Sequence, residues 1–313
     1  MHKVDASVPP HLLACPWCGA EVDAVSARAS AACDHCGRPV RFEGEILVWA
    51  APETAPATPK RNLRELILRQ FNPLVSRLSP LRYFSDWRVE GYYRRTVSDS
   101  GVAQRWSDHY LAALALPRGA AVLDHGCGRG RNVGMLTQLG FRVGAQDLQP
   151  SAWWKRLGGC TFQAVPAAVP RLPWTDGAFQ AVLDVEVIHH LDESQLHNHA
   201  AEVFRVLAPG GAWILLEANS DSYGARLPLK YCGRLHSLEH VRRLAAEVGF
   251  NELDRSFEGL YTPVLPNLVN FVRKQLWPGP LMIEDFDSRL AAMVPAHRRA
   301  LWLLRLQKPV LHG

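Results

Sequence analysis

The sequence lacks any long hydrophobic run, although hydrophobic residues make up 48% of its 313 positions. No apolar stretch approaches the roughly 20 residues that a membrane-spanning helix needs. The first residues also lack the short apolar segment of a secretory signal peptide, so we expect a cytoplasmic protein. The length exceeds the usual size of one domain, and the hydrophobic content suffices for a sizeable core plus an accessory unit.

Charge of either sign is in little excess, because the formal net charge is only +5. The excess is concentrated in one place: between Lys60 and Arg95 there are nine basic and three acidic residues. Apolar residues recur there at helical spacing, which predicts a basic amphipathic helical segment over residues 61–104. Such a segment could pack on a neighbouring domain, lie on a membrane surface or face RNA, and the sequence leaves all three interpretations open.

Cysteine is scarce, with seven residues in the chain, but four of them form two pairs. Each pair encloses two residues and is followed by glycine, the members being Cys15 with Cys18 and Cys33 with Cys36. This spacing lets a tight turn point both thiolates at one ion, and four thiolates in a tetrahedron suit zinc. Disulfides and an iron–sulfur cluster are the alternatives. We predict structural zinc in a ribbon-like module over residues 1–49, followed by a Pro- and Ala-rich linker over residues 50–60.

The most informative segment is a glycine-rich turn, residues 122–130, which read VLDHGCGRG. An apolar run ends in Asp124, and glycines follow at alternate positions 126, 128 and 130, before a helix-forming stretch. The pattern predicts a strand, a tight turn and a helix, with side chains removed where a ligand lies against the backbone. The ligand is either a dinucleotide or S-adenosylmethionine. The dinucleotide fingerprint G-x-G-x-x-G fails here, because Arg131 occupies the position of its last glycine.

A second signal lies at the end of the next apolar run, residues 141–147. Asp147 follows the first glycine of the turn by about 20 residues, the spacing at which an acidic side chain accepts hydrogen bonds from ribose hydroxyls. The neighbouring Leu148 is then placed to pack on an adenine ring. We therefore expect Asp147 and Leu148 to contact the sugar and base of a nucleoside cofactor.

Two downstream phrases complete the pattern: LPWTDGAF at residues 172–179, whose strand is followed by HHL at residues 189–191, and APGG at residues 208–211. With the glycine turn, they resemble the motifs of class I S-adenosylmethionine-dependent methyltransferases over roughly residues 105–257. The resemblance implies S-adenosylmethionine as cofactor. It also implies an α/β Rossmann-like seven-stranded, mostly parallel sheet with helices on both faces, here joined by the zinc ribbon and accessory helices.

The resemblance carries over to particular residues. It implies a cofactor-binding set of Asp124, Gly126, Cys127, Gly128, Gly130, Asp147, Leu148 and Asp184. His189 and His190 are the candidate bases, and a purely structural role for them is the alternative. The family usually has Asp before the "LP" phrase to bind the adenine amino group, whereas this chain has AAV at residues 167–169. A backbone group or Gln163 would have to serve instead.

The strands of the catalytic domain, residues 105–313, can be placed from the apolar runs and turn residues. We predict them at residues 120–124, 141–147, 161–165, 179–185, 212–218, 252–258 and 300–306, the last being antiparallel. A helix begins after Ser237 and ends at Gly249. Residues 259–297 are then a helical insertion, placed to cover the acceptor or to contact lipid or a partner.

Three functions remain open from sequence alone. The first is a methyltransferase acting on a small molecule or lipid-like biosynthetic intermediate, with its basic and apolar helices able to lie on a membrane surface. The second is an RNA methyltransferase, because a zinc ribbon, a basic segment and motif I resemble the layout of bacterial ribosomal-RNA guanine-N1 methyltransferases. The third is a non-catalytic scaffold that binds the cofactor.

Overall fold

A nine-stranded sheet organises the chain in the computed structural model, with strand order β1-β2-β5-β4-β3-β6-β7-β9-β8. The strands are β1 Val40–Glu43, β2 Ile46–Trp49, β3 Ala121–His125, β4 Arg142–Asp147, β5 Thr161–Ala164, β6 Phe179–Val185, β7 Leu207–Ala218, β8 Asn251–Glu258 and β9 Leu301–Gln307. The structure describes residue 9 and residues 12–50, 111, 114, 116–151, 153–157, 160–167, 169–222, 234–258, 293–299 and 301–310.

The middle of the sheet is parallel and its outer strands are antiparallel. β5, β4, β3, β6 and β7 run parallel, β9 is antiparallel to both β7 and β8, and the β1–β2 hairpin joins through a parallel β2–β5 pair. Strands buried on both faces read as nearly continuous apolar runs, and β3 and β6 do so. The carboxyl ends of the parallel strands form the edge where open α/β sheets bind ligands.

Helices cover both faces of the sheet. They are α1 Ala24–Ser30, α2 Arg131–Gln138, α3 Trp154–Leu157, α4 Glu193–Val206 and α5 Leu238–Val248. Side chains cap the beginnings of three of them, at Asp23, Asp192 and Ser237. The predicted end of α5 at Gly249 is confirmed, because this residue adopts the left-handed conformation that glycine tolerates.

The helices fall into groups that pack in two different hydrophobic cores. One core lies between the sheet and α2 with α3, and includes Val133, Leu136 and Trp154. The other contains α4 and α5, and it also takes in Leu13, Cys15 and Val22 of the N-terminal module. The module therefore shares a core with the catalytic sheet.

The seven predicted strands are all present, each beginning within one residue of its predicted position except β7, which begins at Leu207. β7 starts early because Leu207 already pairs with Phe179, with a register shift before Ala181. The prediction of a seven-stranded sheet was wrong, since β1 and β2 extend it to nine strands. The extra pair forms because β2 is an apolar run that the neighbouring strand β5 can accept, and all four of its residues are buried.

The N-terminal module makes further contacts with the catalytic domain. Leu13 and Trp174 form an antiparallel bridge, in which Ala14 N–H donates to the Pro173 carbonyl. The indole of Trp49 donates to the amide oxygen of Gln163 at 2.8 Å. These contacts attach the module to the segment before β6.

Three predicted segments fall largely or wholly outside the described residues. The basic segment at residues 61–104 does so entirely, and so does the linker at residues 50–60 apart from residue 50. Of the insertion at residues 259–297 the structure describes only its end, from residue 293. Among the described helices, none combines the length and apolar character required to cross a bilayer.

Candidate functional site

The glycine turn connects β3 to α2 and places backbone at the carboxyl edge of the sheet. Gly126, Gly128 and Gly130 all have positive φ, which favours glycine. A Cβ on Gly126 would lie 2.6 Å from Val187, and one on Gly130 would lie 2.4 Å from Leu157, so close packing also requires these two glycines. A Cβ on Gly128 would meet nothing within 4 Å. Gly128 therefore faces the open space in which a ligand can approach the backbone.

Asp124 lies directly beneath this turn and is only 1% exposed. Its Oδ1 accepts a hydrogen bond from Asn132 at 3.2 Å, whereas its buried Oδ2 has no partner in the described part of the chain. Burial raises the pKa of Asp124 to about 7, although Asn132 and Arg131 lower it. A buried carboxylate oxygen without a donor is costly, so this atom is suited to a ligand's ammonium group.

Asp147 ends β4 beside the glycine turn. Its two carboxylate oxygens accept backbone hydrogen bonds from Gly128 and Leu148, each at 2.7 Å. A carboxylate has about four lone-pair positions, so two remain for a ligand. Leu148 is 60% exposed, which is high for a large apolar side chain and suits a platform for an aromatic ring.

A cavity of about 610 Å³ opens at this edge, within the size range of small-molecule sites. Four residues of the predicted cofactor set line it: Gly126, Gly128, Asp147 and Leu148. The predicted base His190 lines it as well. The geometry therefore brings four of the eight expected cofactor residues and one candidate base to one space.

These features fit S-adenosylmethionine at each of its parts. The partnerless Oδ2 of Asp124 suits the methionyl ammonium, the free lone pairs of Asp147 suit ribose hydroxyls, and Leu148 suits adenine. The open space over Gly128, at the beginning of α2, suits the methionyl carboxylate, because backbone N–H groups point outward at a helix N-terminus. The residues of the turn thus match the donors and acceptors of this cofactor.

The two adjacent histidines have different environments. His189 Nδ1 lies 2.9 Å from Glu217, a buried carboxylate that also accepts backbone hydrogen bonds from Val187 and Ile188. His189 is therefore tied into the loop after β6 and does not line the cavity. His190 does line it, and burial, with His189, lowers its pKa.

The other four predicted cofactor residues, Asp124, Cys127, Gly130 and Asp184, lie outside the cavity lining. Cys127 is buried, which raises the pKa of its thiol well above the usual range, and its backbone N–H donates to the Gln146 carbonyl. Gly130 caps α2. Asp184 is fully buried beneath the cavity. These residues shape the turn or its support without bordering the open space.

Sequence reasoning missed a polar cluster around Asp184. His125 Nδ1 lies 2.6 Å from one carboxylate oxygen, while His199 Nε2 and Trp213 Nε1 each lie 2.7 Å from the other. The rings of His125 and His199 stack with centroids 4.3 Å apart, and both line the cavity. A signal was present, because a polar residue, His125, immediately follows Asp124 at the end of a buried strand.

Gln163, a suggested adenine contact, does not fill that role in the structure. It is fully buried, its oxygen accepts from Trp49, and its amide nitrogen donates to the Pro173 carbonyl at 2.9 Å. The oxygen thus attaches the N-terminal module, and the nitrogen is bonded to the segment before β6. Gln146 lines the cavity instead.

The four paired cysteines converge in the N-terminal module. Their sulfur atoms all lie within 4.8 Å of one another, with Cys15 and Cys36 at 3.7 Å and Cys18 and Cys33 at 3.8 Å. A regular tetrahedron with Zn–S bonds of about 2.3 Å has edges of about 3.8 Å. These two edges of the cluster match the dimensions of a four-thiolate zinc site.

Comparison with known proteins agrees with this geometry. Residues 122–211 match the methyltransferase domain family. An uncharacterized methyltransferase from Synechocystis sp. is 30% identical over 141 residues, which are 45% of this chain and 66% of that protein. The Homo sapiens protein named probable tRNA methyltransferase 9B is 34% identical over 94 residues, 30% of this chain. This chain thus spans just under two thirds of the first relative and 20% of the second.

A solved structure also resembles the chain over most of its length. The 1,6-didemethyltoxoflavin-N1-methyltransferase of Burkholderia thailandensis aligns over 88% of this chain and 97% of that chain, with 20% identity and a TM-score of 0.45. The assignment rests on the domain match, the curated relative and the glycine turn between β3 and α2. The chain therefore contains a methyltransferase domain over residues 122–211.

Proposed function

We propose that the chain transfers a methyl group from S-adenosylmethionine to a small or lipid-like acceptor that enters the cavity beside His190. The observation that carries this proposal is that Gly128, Asp147 and His190 border one and the same cavity. The cofactor, when bound, supplies a methyl group on a positively charged sulfur, so the departing thioether is neutral and needs no acid. The protein must then orient the two reactants and exclude water.

Two carboxylates hold the cofactor in this proposal. Asp124 binds the ammonium group through Oδ2, and the incoming positive charge favours the ionised form of a carboxyl whose pKa is otherwise about 7. Asp147 accepts the ribose hydroxyls while it remains bonded to Gly128 and Leu148. The cofactor would therefore tie together the ends of β3 and β4.

His190 accepts the proton of an O–H or N–H acceptor. Its lowered pKa keeps the imidazole neutral at neutral pH, which leaves one ring nitrogen able to take a proton. Glu186 also lines the cavity, so a second polar group borders the same space. Its positive φ of 57° is unusual for a residue other than glycine. We propose a polar nucleophile as the reacting group of the acceptor.

Zinc is the second proposed constituent. Four thiolates fill a tetrahedral shell and leave no position for a substrate, so the role of the metal is structural. We propose that Cys15, Cys18, Cys33 and Cys36 hold one zinc ion that fixes the N-terminal module. Metal analysis of the purified protein should find about one zinc per chain, and a metal-free protein with an intact module would contradict this.

Calorimetry with S-adenosylhomocysteine tests the cofactor site. The wild-type protein should bind it, and Asp147→Ala should weaken binding by about tenfold or more, because hydrogen bonds to a charged group are lost. Asp34→Ala removes an exposed carboxylate of the N-terminal module and should leave affinity unchanged. Undiminished binding by Asp147→Ala would refute the ribose assignment.

The acceptor class is tested by transfer of a labelled methyl group into a cell extract that is then separated into small molecules, lipids and RNA. Label in the small-molecule or lipid fraction supports the proposal. Label in RNA, with a steep loss at higher salt, would favour the RNA alternative suggested by the basic segment at residues 61–104. Cofactor binding without any turnover would favour the scaffold.

A further inference from the structure

The cavity must recognise adenine without the carboxylate that the family usually supplies. The corresponding positions are apolar, and Gln163 is occupied by Trp49 and Pro173. Two polar side chains nevertheless meet on the floor of the cavity, His125 at the end of β3 and Gln146 near the end of β4. Recognition of adenine in this cavity rests on the proposed binding of S-adenosylmethionine.

His125 and Gln146 are direct neighbours. They are paired residues in the register of β3 and β4, so their side chains leave the same face of the sheet about 5 Å apart. Both line the cavity, and Gln146 is only 5% exposed. The chain therefore presents two polar groups side by side next to Asp147, the proposed ribose ligand.

The hydrogen-bonding polarity of His125 is fixed from behind by Asp184. Burial would raise the pKa of Asp184, but His199 and His125 outweigh this effect and hold it well below the usual range. An ionised carboxylate only accepts hydrogen bonds, so His125 Nδ1 must donate to it across 2.6 Å. With Nδ1 bonded to Asp184, Nε2 is the ring nitrogen left for a ligand, and it accepts a hydrogen bond only when the ring is neutral.

The polarity of Gln146 is fixed from behind by Trp174. The indole Nε1 of Trp174 can only donate, and it lies 2.6 Å from the Oε1 atom of Gln146. The amide therefore cannot be flipped without losing this buried hydrogen bond. Its Nε2 remains as the donor available to the cavity.

We infer that His125 and Gln146 together recognise the Watson–Crick edge of the adenine ring. His125 Nε2 accepts a hydrogen bond from the exocyclic amino group, and Gln146 Nε2 donates to N1. One acceptor next to one donor is the complement of an aminopurine edge, and a hypoxanthine edge presents the opposite polarity. Asp184 and Trp174 act as positioning residues, because they set which atom each neighbour offers.

Calorimetric titration with three ligands tests the inference: S-adenosylhomocysteine, its 1-deaza analogue, in which C–H replaces N1, and its inosine analogue. The wild-type protein should bind the 1-deaza analogue about tenfold more weakly, because one hydrogen bond is lost. It should bind the inosine analogue on the order of 100-fold more weakly, because the acceptor His125 then faces an acceptor and the donor Gln146 faces a donor.

Two substitutions of Gln146 separate polarity from shape. Gln146→Glu keeps the oxygen that accepts from Trp174 but replaces the donor by an acceptor, so the preference for adenine over hypoxanthine should shrink to less than about tenfold. Gln146→Met keeps the length of the side chain without the amide. This variant should bind S-adenosylhomocysteine and the 1-deaza analogue with equal affinity. Comparing its affinity ratio with that of the wild type isolates the contact with N1, as in a double-mutant cycle.

Asn198→Asp is the matched control, because it makes the same change from amide to acid on α4, which borders another side of the cavity. It should leave the ratio between ligands unchanged. An equal change of ratio in Asn198→Asp and Gln146→Glu would mean that added charge is responsible, and the inference would be wrong. Thermal unfolding of each variant shows whether it is folded, and the wild-type ratios do not depend on any variant.

The outcomes also separate this inference from the proposed function. If the wild-type protein binds none of the three ligands, the cofactor assignment itself fails. If it binds all three with similar affinity, the cofactor assignment stands and only the roles of His125 and Gln146 are refuted.

Discussion

The buried carboxylate of Asp124 should lower the stability of the folded protein, and it should also bind the cofactor. Asp124→Asn should separate these two effects. The carboxyl has a pKa of about 7 in the folded protein, because burial disfavours its charge, against an ordinary value of 3.8. Below about pH 4 it is protonated in both states. As the pH rises from there to about 7, the unfolded chain releases the proton and the folded chain retains it, so stability falls. Above about pH 7 the cost is constant.

The size of the effect follows from the two pKa values. Between pH 5 and pH 8 the wild-type protein should lose about 2 to 3 kcal/mol of unfolding free energy through this group. Asp124→Asn removes that titration while nearly keeping the shape of the side chain. The new amide can also donate to Oδ1 of Asn132, a buried atom without a partner among the described residues. The variant should therefore gain stability relative to wild type as the pH rises.

Urea unfolding at pH 5 and pH 8, without cofactor, measures this difference. Asp192→Asn is the control: hydrogen bonds from the α4 N-terminus lower the pKa of Asp192, so it is ionised in both states at both pH values. Its effect should be the same at pH 5 and pH 8. In calorimetry, Asp124→Asn should lower the affinity for S-adenosylhomocysteine by about 10- to 100-fold, the loss typical of a charged hydrogen bond. Equal destabilisation at both pH values would refute the reasoning.

Two further substitutions test the site. His190→Gln should lower kcat by about 100-fold or more if His190 removes a proton, with unchanged affinity for S-adenosylhomocysteine. His197→Gln, on the exposed side of α4, is the control. An unaltered kcat in His190→Gln would exclude His190 as the base. Gly126→Ala should destabilise the protein by about 1 to 3 kcal/mol in urea unfolding, because φ is +63° and Val187 is too close. Gly44→Ala has φ of +67° without a steric neighbour, so a loss as large there would show that φ alone is responsible.

Local signals in the sequence were sufficient for the catalytic strands and the glycine turn. Each strand is an apolar run between turn residues, and the turn needs glycine for both φ and packing, so the pattern and the geometry have the same cause. Asp147 and Leu148 were predictable for the same reason, since they follow directly from the end of β4. These features depend on residues that are close in sequence.

The missed features depend on register between distant strands. His125 meets Asp184 because β3 pairs with β6, and it meets Gln146 because β3 also pairs with β4. No local pattern in one strand reveals which residue lies opposite in the next. The family resemblance implied a cofactor contact for Asp184, whereas in the structure its carboxylate is bonded to two histidines that border the cavity.

The attachment of the N-terminal module has a consequence for unfolding. β2 continues the catalytic sheet through β5, and Cys15 belongs to the same hydrophobic core as Trp174 and Trp213. Metal binding in small cysteine modules is worth roughly 10–16 kcal/mol, so removing the ion should unfold the module. Because the two parts share a core, chelation should lower the melting temperature of the whole described fold in one transition.

Thermal unfolding with and without a chelator, followed by tryptophan fluorescence and by far-ultraviolet circular dichroism, checks this expectation. Both probes should shift together, since the buried indoles Trp49, Trp174 and Trp213 lie along one continuous sheet and its core. Cys33→Ser should reproduce the shift without chelator, whereas Cys160→Ser, outside the cluster, should not. Two separate transitions, of which only the first responds to the chelator, would show that the module folds independently of the sheet it extends.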